Sequence, residues 1–115
     1  MNILIYAHKR GFDVQKTERY FKERRIPYQY FDLNKRGLGP RELSAVMARV
    51  GIKAMIDTDS AVYKERGIQF IAGEQALIEA LAAYPTLLKV PIVRNGRFAT
   101  VGYAPEVWAG WITNG

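Results

Sequence analysis

The chain has 115 residues, 49% of them hydrophobic and 24% charged, with no cysteine and one histidine. That length suits one compact domain, expected to span residues 1–115, and the missing cysteines exclude disulfides, thiolate metal sites and thiol catalysis together. The net charge of +6 is uneven: residues 1–53 carry 12 basic and 5 acidic side chains (+7), residues 54–115 carry 5 and 6 (−1). A basic half of this kind suits nucleic acid, an acidic protein surface or a small anion. No nucleic-acid motif is present, and Tyr20, Phe21, Tyr28, Tyr30 and Phe31 sit where a core needs them, so direct nucleic-acid binding is not expected. No apolar stretch is long enough for a membrane span, and Met1 to Ile5 lacks the pattern of a signal peptide, which makes the cytoplasm the expected location. One histidine without cysteine also argues against a zinc site, and no cofactor is expected.

In chain order, residues 2–6 form a strand-type run followed by a basic loop over 7–10. Residues 12–25 suit a helix, with Val14, Thr17, Tyr20 and Phe21 as the apolar stripe and Gln15, Lys16, Arg19, Lys22 and Glu23 outward. Acid and base lie one turn apart at Glu18 and Lys22 and at Arg19 and Glu23, the pattern of a solvated helix face. Pro27 closes the turn before a second strand, Tyr28 to Asp32, giving a β-α-β unit with parallel strands. A loop from Asn34 to Gly39 leads to Pro40, in a first helical turn, and a helix to Val50 that stops at Gly51. A short helix is expected over Ser60 to Arg66 and another over Gly73 to Ala83, with Leu77, Ile78 and Leu81 inward. Asn95-Gly96 between two strand-like runs, Val90 to Arg94 and Arg97 to Val101, is a strong hairpin signal. Pro105 opens a last helix, Glu106 to Ile112, whose Val107, Trp108, Trp111 and Ile112 are expected to pack on the sheet.

This order, β-α-β, helices, a β-hairpin and a terminal helix, is a thioredoxin-like α/β arrangement with a helical insertion. The motifs resemble those of the bacterial arsenate reductase (ArsC) and Spx family along the whole chain. The resemblance is carried by the strand-loop-helix start from Ile3 to Thr17, by Tyr63-Lys64-Glu65-Arg66-Gly67-Ile68, by the run Tyr84-Pro85-Thr86-Leu87-Leu88-Lys89-Val90-Pro91-Ile92-Val93, and by Val101-Gly102-Tyr103. The family writes Tyr-Lys-Glu-Leu-Gly-Leu for the second and ends the third in Arg-Pro-Ile-Val. Its reductases use a thiolate at a helix N-terminus, arginines that neutralise the oxyanion, and glutathione or glutaredoxin to regenerate the thiol.

Matched residue by residue, the thiol position is Gly11, and the second cysteine of the Spx-type pair falls at Val14. The resemblance puts the reductase arginine before the Tyr-Lys-Glu motif at Asp57, or at Asp59 for Spx-like members. The arginine of Arg-Pro-Ile-Val is Val90, and that of the C-terminal hairpin is Tyr103. The catalytic set is therefore degenerate, and the resemblance implies a pseudoenzyme. Pro91 takes the place of the thioredoxin-type cis-proline, which shapes the groove beside Gly11. Gly51 matches a glycine at which Spx touches the C-terminal domain of the RNA polymerase α subunit, although a helix C-cap favours glycine in any case.

Three readings follow. The first is a non-catalytic interaction module acting through the basic half, with Gly51 as a contact and the RNA polymerase α subunit as a possible partner. The second is a binder of a small anion or glutathione in the old groove, held by Lys9, Arg10, Lys16, Pro91 and the amides of Gly11 and Phe12; Asp57 and Asp59 oppose an anion but not a zwitterion. The third is different enzyme chemistry, for which Ser44 and Ser60 lack an activating histidine, His8 being alone. Asp57 beside Lys16 in the groove would favour that reading.

Overall fold

The computed structural model describes residues 1–114. Its elements are β1 (Ile3–Ala7), α1 (Phe12–Glu23), β2 (Tyr28–Asp32), α2 (Pro40–Val50), α3 (Ile52–Met55), α4 (Ala61–Glu65), α5 (Glu74–Ala83), β3 (Ile92–Asn95), β4 (Phe98–Val101) and α6 (Pro105–Asn114). Short 3₁₀ turns at Ile68–Phe70 and Pro85–Leu87 flank α5. The strands form one sheet in the order β2-β1-β3-β4, with β1 parallel to β2 and antiparallel to β3, and β3 and β4 joined as a hairpin. This is the thioredoxin-like topology with a helical insertion.

Alternation along the strands divides the core into two clusters. Ile3 and Ile5 of β1 and Val93 of β3 face α1 and α6, where Tyr20, Phe21 and Trp108 complete the packing. Tyr6 and Ile92 belong to the opposite cluster, with Leu43 and Val46 of α2, Met55 of α3, and Ile78 and Leu81 of α5. Trp108 is fully buried, and its Nε1–H donates to Thr100 Oγ1 at 2.8 Å, so the polar end of the indole is satisfied inside the core.

The whole α1 stripe, Val14, Thr17, Tyr20 and Phe21, is buried as its spacing requires. The helix ends at Glu23, two residues short of the sequence expectation. Arg25 adopts a left-handed conformation (φ 57°), and the amides of Arg25 and Ile26 donate to the carbonyls of Lys22 and Phe21. That is a Schellman cap with arginine in the position glycine usually takes. Two expected core residues lie elsewhere. Phe31 is 38% exposed, because β2 is an edge strand: its alternation sends Tyr28 and Tyr30 toward α1 and leaves Phe31 on the other face, stacked on Tyr6. Val107 is exposed because α6 turns Trp108, with the partly buried Trp111 and Ile112, toward the sheet, and Val107 lies to the side of that stripe.

Candidate functional site

The β1-α1 loop, His8 to Gly11, is pinned at several points. The Asn34 side-chain amide donates to the His8 carbonyl at 2.7 Å, and Gln15 Nε2 donates to the Arg10 carbonyl at 3.1 Å. His8 Nε2–H donates to the Leu88 carbonyl at 3.0 Å, the role that this acceptor demands. Gly11 caps α1 with φ −80°, ψ −174°, an extended conformation open to any residue, and a Cβ built there meets no neighbour within 4 Å. Neither backbone nor packing demands a glycine at the position where the resemblance places the thiol.

Beside this loop lies a groove of about 490 Å³ lined by His8, Lys9, Asp13, Asp57, Lys89 and Val90, among others. The Val90–Pro91 bond is cis, and Pro91 is buried. The groove holds two lysines against two carboxylates. Asp13 is in the first turn of α1, where a carboxylate already occupies the favourable field of the helix N-terminus. Asp57 Oδ1 accepts the Asp59 amide at 3.0 Å. Sequence reasoning missed Asp13 and Lys89; an acid just inside a helix start was the available signal for the first. Asp59, expected to act against an anion, is not among the lining residues, whereas Asp13 is.

The residues proposed to converge at Gly11 are divided by the structure. Lys9 lines this groove. Arg10 turns toward β2, where it pairs with Glu18 and stacks 3.9 Å over the Tyr30 ring. Lys16 points the other way and sits 5.4 Å over the Tyr103 ring, and Phe12 projects into solvent. Tyr103, at a family arginine position, packs edge-on against Trp108. Asp57 is therefore in the groove without Lys16 beside it, and the arrangement expected for different enzyme chemistry does not form. The helix pairs Glu18–Lys22 and Arg19–Glu23 also do not form: Glu18 is turned inward, taking Arg10 and a 2.8 Å hydrogen bond from the Tyr28 hydroxyl. Burial, then that carboxylate, pushes the Tyr28 phenol up to about 12.

A second, larger groove of about 830 Å³ runs on the other side of His8 and Lys9, between the end of β2 and the loop before α2. Its lining includes Tyr6, Arg10, Phe31, Lys35, Arg36 and Glu42. Burial raises the Tyr6 phenol, with Glu42 adding to the effect and Arg94 opposing it. Gly51 lies apart from both grooves, at the end of α2, with φ 82° and ψ 152°. That region is open to glycine almost alone, so the fold itself accounts for the residue. Among the described residues no three His, Cys, Asp or Glu side chains come together as a metal site, and no helix is long and apolar enough to cross a membrane.

The fold defines a thioredoxin-like protein, and the position to which the resemblance assigns the thiol is Gly11. Residues 6–110 match the family model described as the ArsC family, and the chain belongs to that family. Among solved structures it is similar to an ArsC-family-related protein from Bacteroides fragilis, with 27% identity, 96% of this chain and 97% of that one covered, and a TM-score of 0.84. It is also similar in fold to an arsenate reductase from Vibrio cholerae, at 24% identity, 96% and 97% coverage and a TM-score of 0.84. An arsenate reductase (ArsC) related protein from Brucella melitensis matches at 18% identity, 97% and 95% coverage and a TM-score of 0.68. A search of curated proteins returned no match.

Proposed function

We propose that residues 1–115 act as one cytoplasmic domain, a non-catalytic ArsC-family protein that binds another protein through its basic N-terminal half in the manner of Spx. The observation that carries this reading is the state of that half's charges. Of its 12 basic side chains, only Arg10 is in an ion pair among the described residues. Unpaired surface cations raise the encounter rate with an acidic partner and contribute little to the stability of the chain alone. The thiol groove, by contrast, has lost its nucleophile and balances its own charges.

The C-terminal domain of the RNA polymerase α subunit is the first partner to test, near Gly51. Substituting Gly51 would disturb the backbone as well as the surface, so exposed Lys53 is the better probe. A tagged pull-down from the source organism, read by quantitative mass spectrometry, is expected to enrich one protein, lost on Lys53→Glu if the α subunit is bound as Spx binds it. Enrichment of nothing over a tag control would overturn the interaction reading.

A second reading has one observation in its favour. Lys9 and Lys89 facing Asp13 and Asp57 suit a zwitterion such as glutathione better than a simple anion. Calorimetric titration with glutathione is expected to show saturable heat that disappears on Lys89→Ala; no heat at millimolar glutathione would remove that reading.

A further inference from the structure

We infer that the groove along β2 is the docking site for an acidic, extended segment of a partner protein, which adds to the sheet as a fifth strand beside β2. The inference rests on the reading of the chain as an interaction module and names the surface that module uses.

Three observations meet there. The first is an open sheet edge. β2 is the terminal strand and pairs only with β1. The Leu33 amide donates to the Ala7 carbonyl, which sets the phase of the ladder: odd residues of β2 turn their peptide groups toward β1 and even residues turn theirs outward. The Asp32 carbonyl is taken by the amides of Lys35 and Arg36, but the N–H and C=O of Tyr28 and Tyr30 have no hydrogen-bonding partner among the described residues. Two successive outward residues offer two donors and two acceptors, the template that an added strand uses for affinity.

The second is an apolar floor. Phe31 lies parallel to Tyr6, with ring centroids 5.0 Å apart, and keeps more than a third of its surface exposed in the groove. An aromatic side chain stacked on a neighbour and still partly exposed is an anchor for one apolar side chain of a bound strand.

The third is charge. Lys9, Lys35 and Arg36 line the groove with no ion-pair partner among the described residues, and Arg10 stands at its rim over Tyr30. The two acids of the lining are engaged locally: Asp32 Oδ1 accepts the Asn34 amide at 2.9 Å, and Glu42 Oε1 lies 3.4 Å from the Gly39 amide. The excess is positive, so the matching strand is acidic, with an apolar residue placed over Phe31. Its outward edge is the side from which such a segment must approach, since α1 and α2 cover the faces of the sheet further in.

The test is selection of a phage-displayed library of random twelve-residue peptides on the full chain. Enriched peptides are then synthesised and titrated into labelled protein by NMR. The expected outcome is a family of acidic sequences with one aromatic or large aliphatic residue. Amide shifts should centre on Tyr28 to Asp32, and affinity should fall by about tenfold or more on Lys35→Glu with Arg36→Glu. N-methylation of alternate peptide residues should abolish binding, because it removes the donors that pair with β2. Phe31→Ala should weaken binding in a chain that still unfolds cooperatively, at a lower midpoint because the ring also packs on Tyr6.

Absence of enrichment, selected sequences without acidic character, or shifts centred on Asp13 and Val90 would each overturn the inference. A protein captured in the pull-down whose binding is indifferent to the Lys35 and Arg36 reversal but lost on Lys53→Glu would overturn it too, and would leave the interaction reading standing.

Discussion

The two grooves that flank His8 and Lys9 share a loop and differ in almost everything else. The one beside Gly11, to which the resemblance assigns the family's thiol, balances Lys9 and Lys89 against Asp13 and Asp57. The one along β2 has an aromatic floor and unpaired basic side chains beside an unpaired strand edge. The lesson is that a scaffold keeps its geometry for packing reasons even where its chemistry is gone. The β1-α1 loop is held by Asn34, Gln15 and Leu88, none of which needs a thiol. A loop of this kind can therefore stay well formed without a thiol in it.

The largest test of that lesson is Trp108→Ala. It empties the core under α1, the helix that follows the loop both grooves share, and leaves Thr100 Oγ1 without its donor; unfolding in urea should show a loss of about 3–5 kcal/mol. A loss under 1 kcal/mol would mean that α1 is held by its loop and not by the core. Gly51→Ala comes next. With φ 82°, it should cost about 1–3 kcal/mol although its Cβ would meet nothing, which separates backbone demand from partner binding. Equal stability to the parent would return Gly51 to the surface-contact explanation alone.

A pH effect distinguishes the β2 side. The Tyr28 phenol is raised to about 12 in the folded chain, above its ordinary value of 10. The unfolded chain therefore loses that proton first, so the stabilisation is complete below pH 10 and falls away as pH rises from 10 toward 12. Stability measured across that window should decline less steeply in Tyr28→Phe; parallel curves would show that Glu18 and burial do not hold the phenol. The smallest effect belongs to the old thiol position. Gly11→Ser meets no steric obstacle and supplies an N-cap oxygen, so a gain of a few tenths of a kcal/mol is expected from thermal unfolding. A clear loss there would show that the groove does require a glycine.

Much of the fold was legible along the chain because its signals are local. Asn95-Gly96 marks the hairpin, Pro40 and Pro105 open α2 and α6, and the spacing of Val14, Thr17 and Phe21 gives the face of α1. Phe31 and Val107 were misplaced because strand and helix periodicity report which residues share a face, not how far the neighbouring elements extend over it. The candidate site was legible only in part. Gly11, Asp57, Val90 and Tyr103 could be aligned to family positions, but Asp13 and Lys89 entered the groove from elements whose meeting no spacing encodes. Arg10 and Lys16 part toward different aromatic rings, Tyr30 for Arg10 and Tyr103 for Lys16, while Lys9 stays between the grooves.

The sequence by itself determined the thioredoxin-like order of elements, the absence of thiol chemistry and the basic N-terminal half, because composition, turn residues and hydrophobic period act within a few residues of one another. Only the tertiary structure decided that β2 is an open edge, that Phe31 lies flat on Tyr6, and that Glu18 leaves its helix partners for Arg10 and Tyr28. Those outcomes depend on strand order and on competition among distant side chains for one another, and long-range packing settles both.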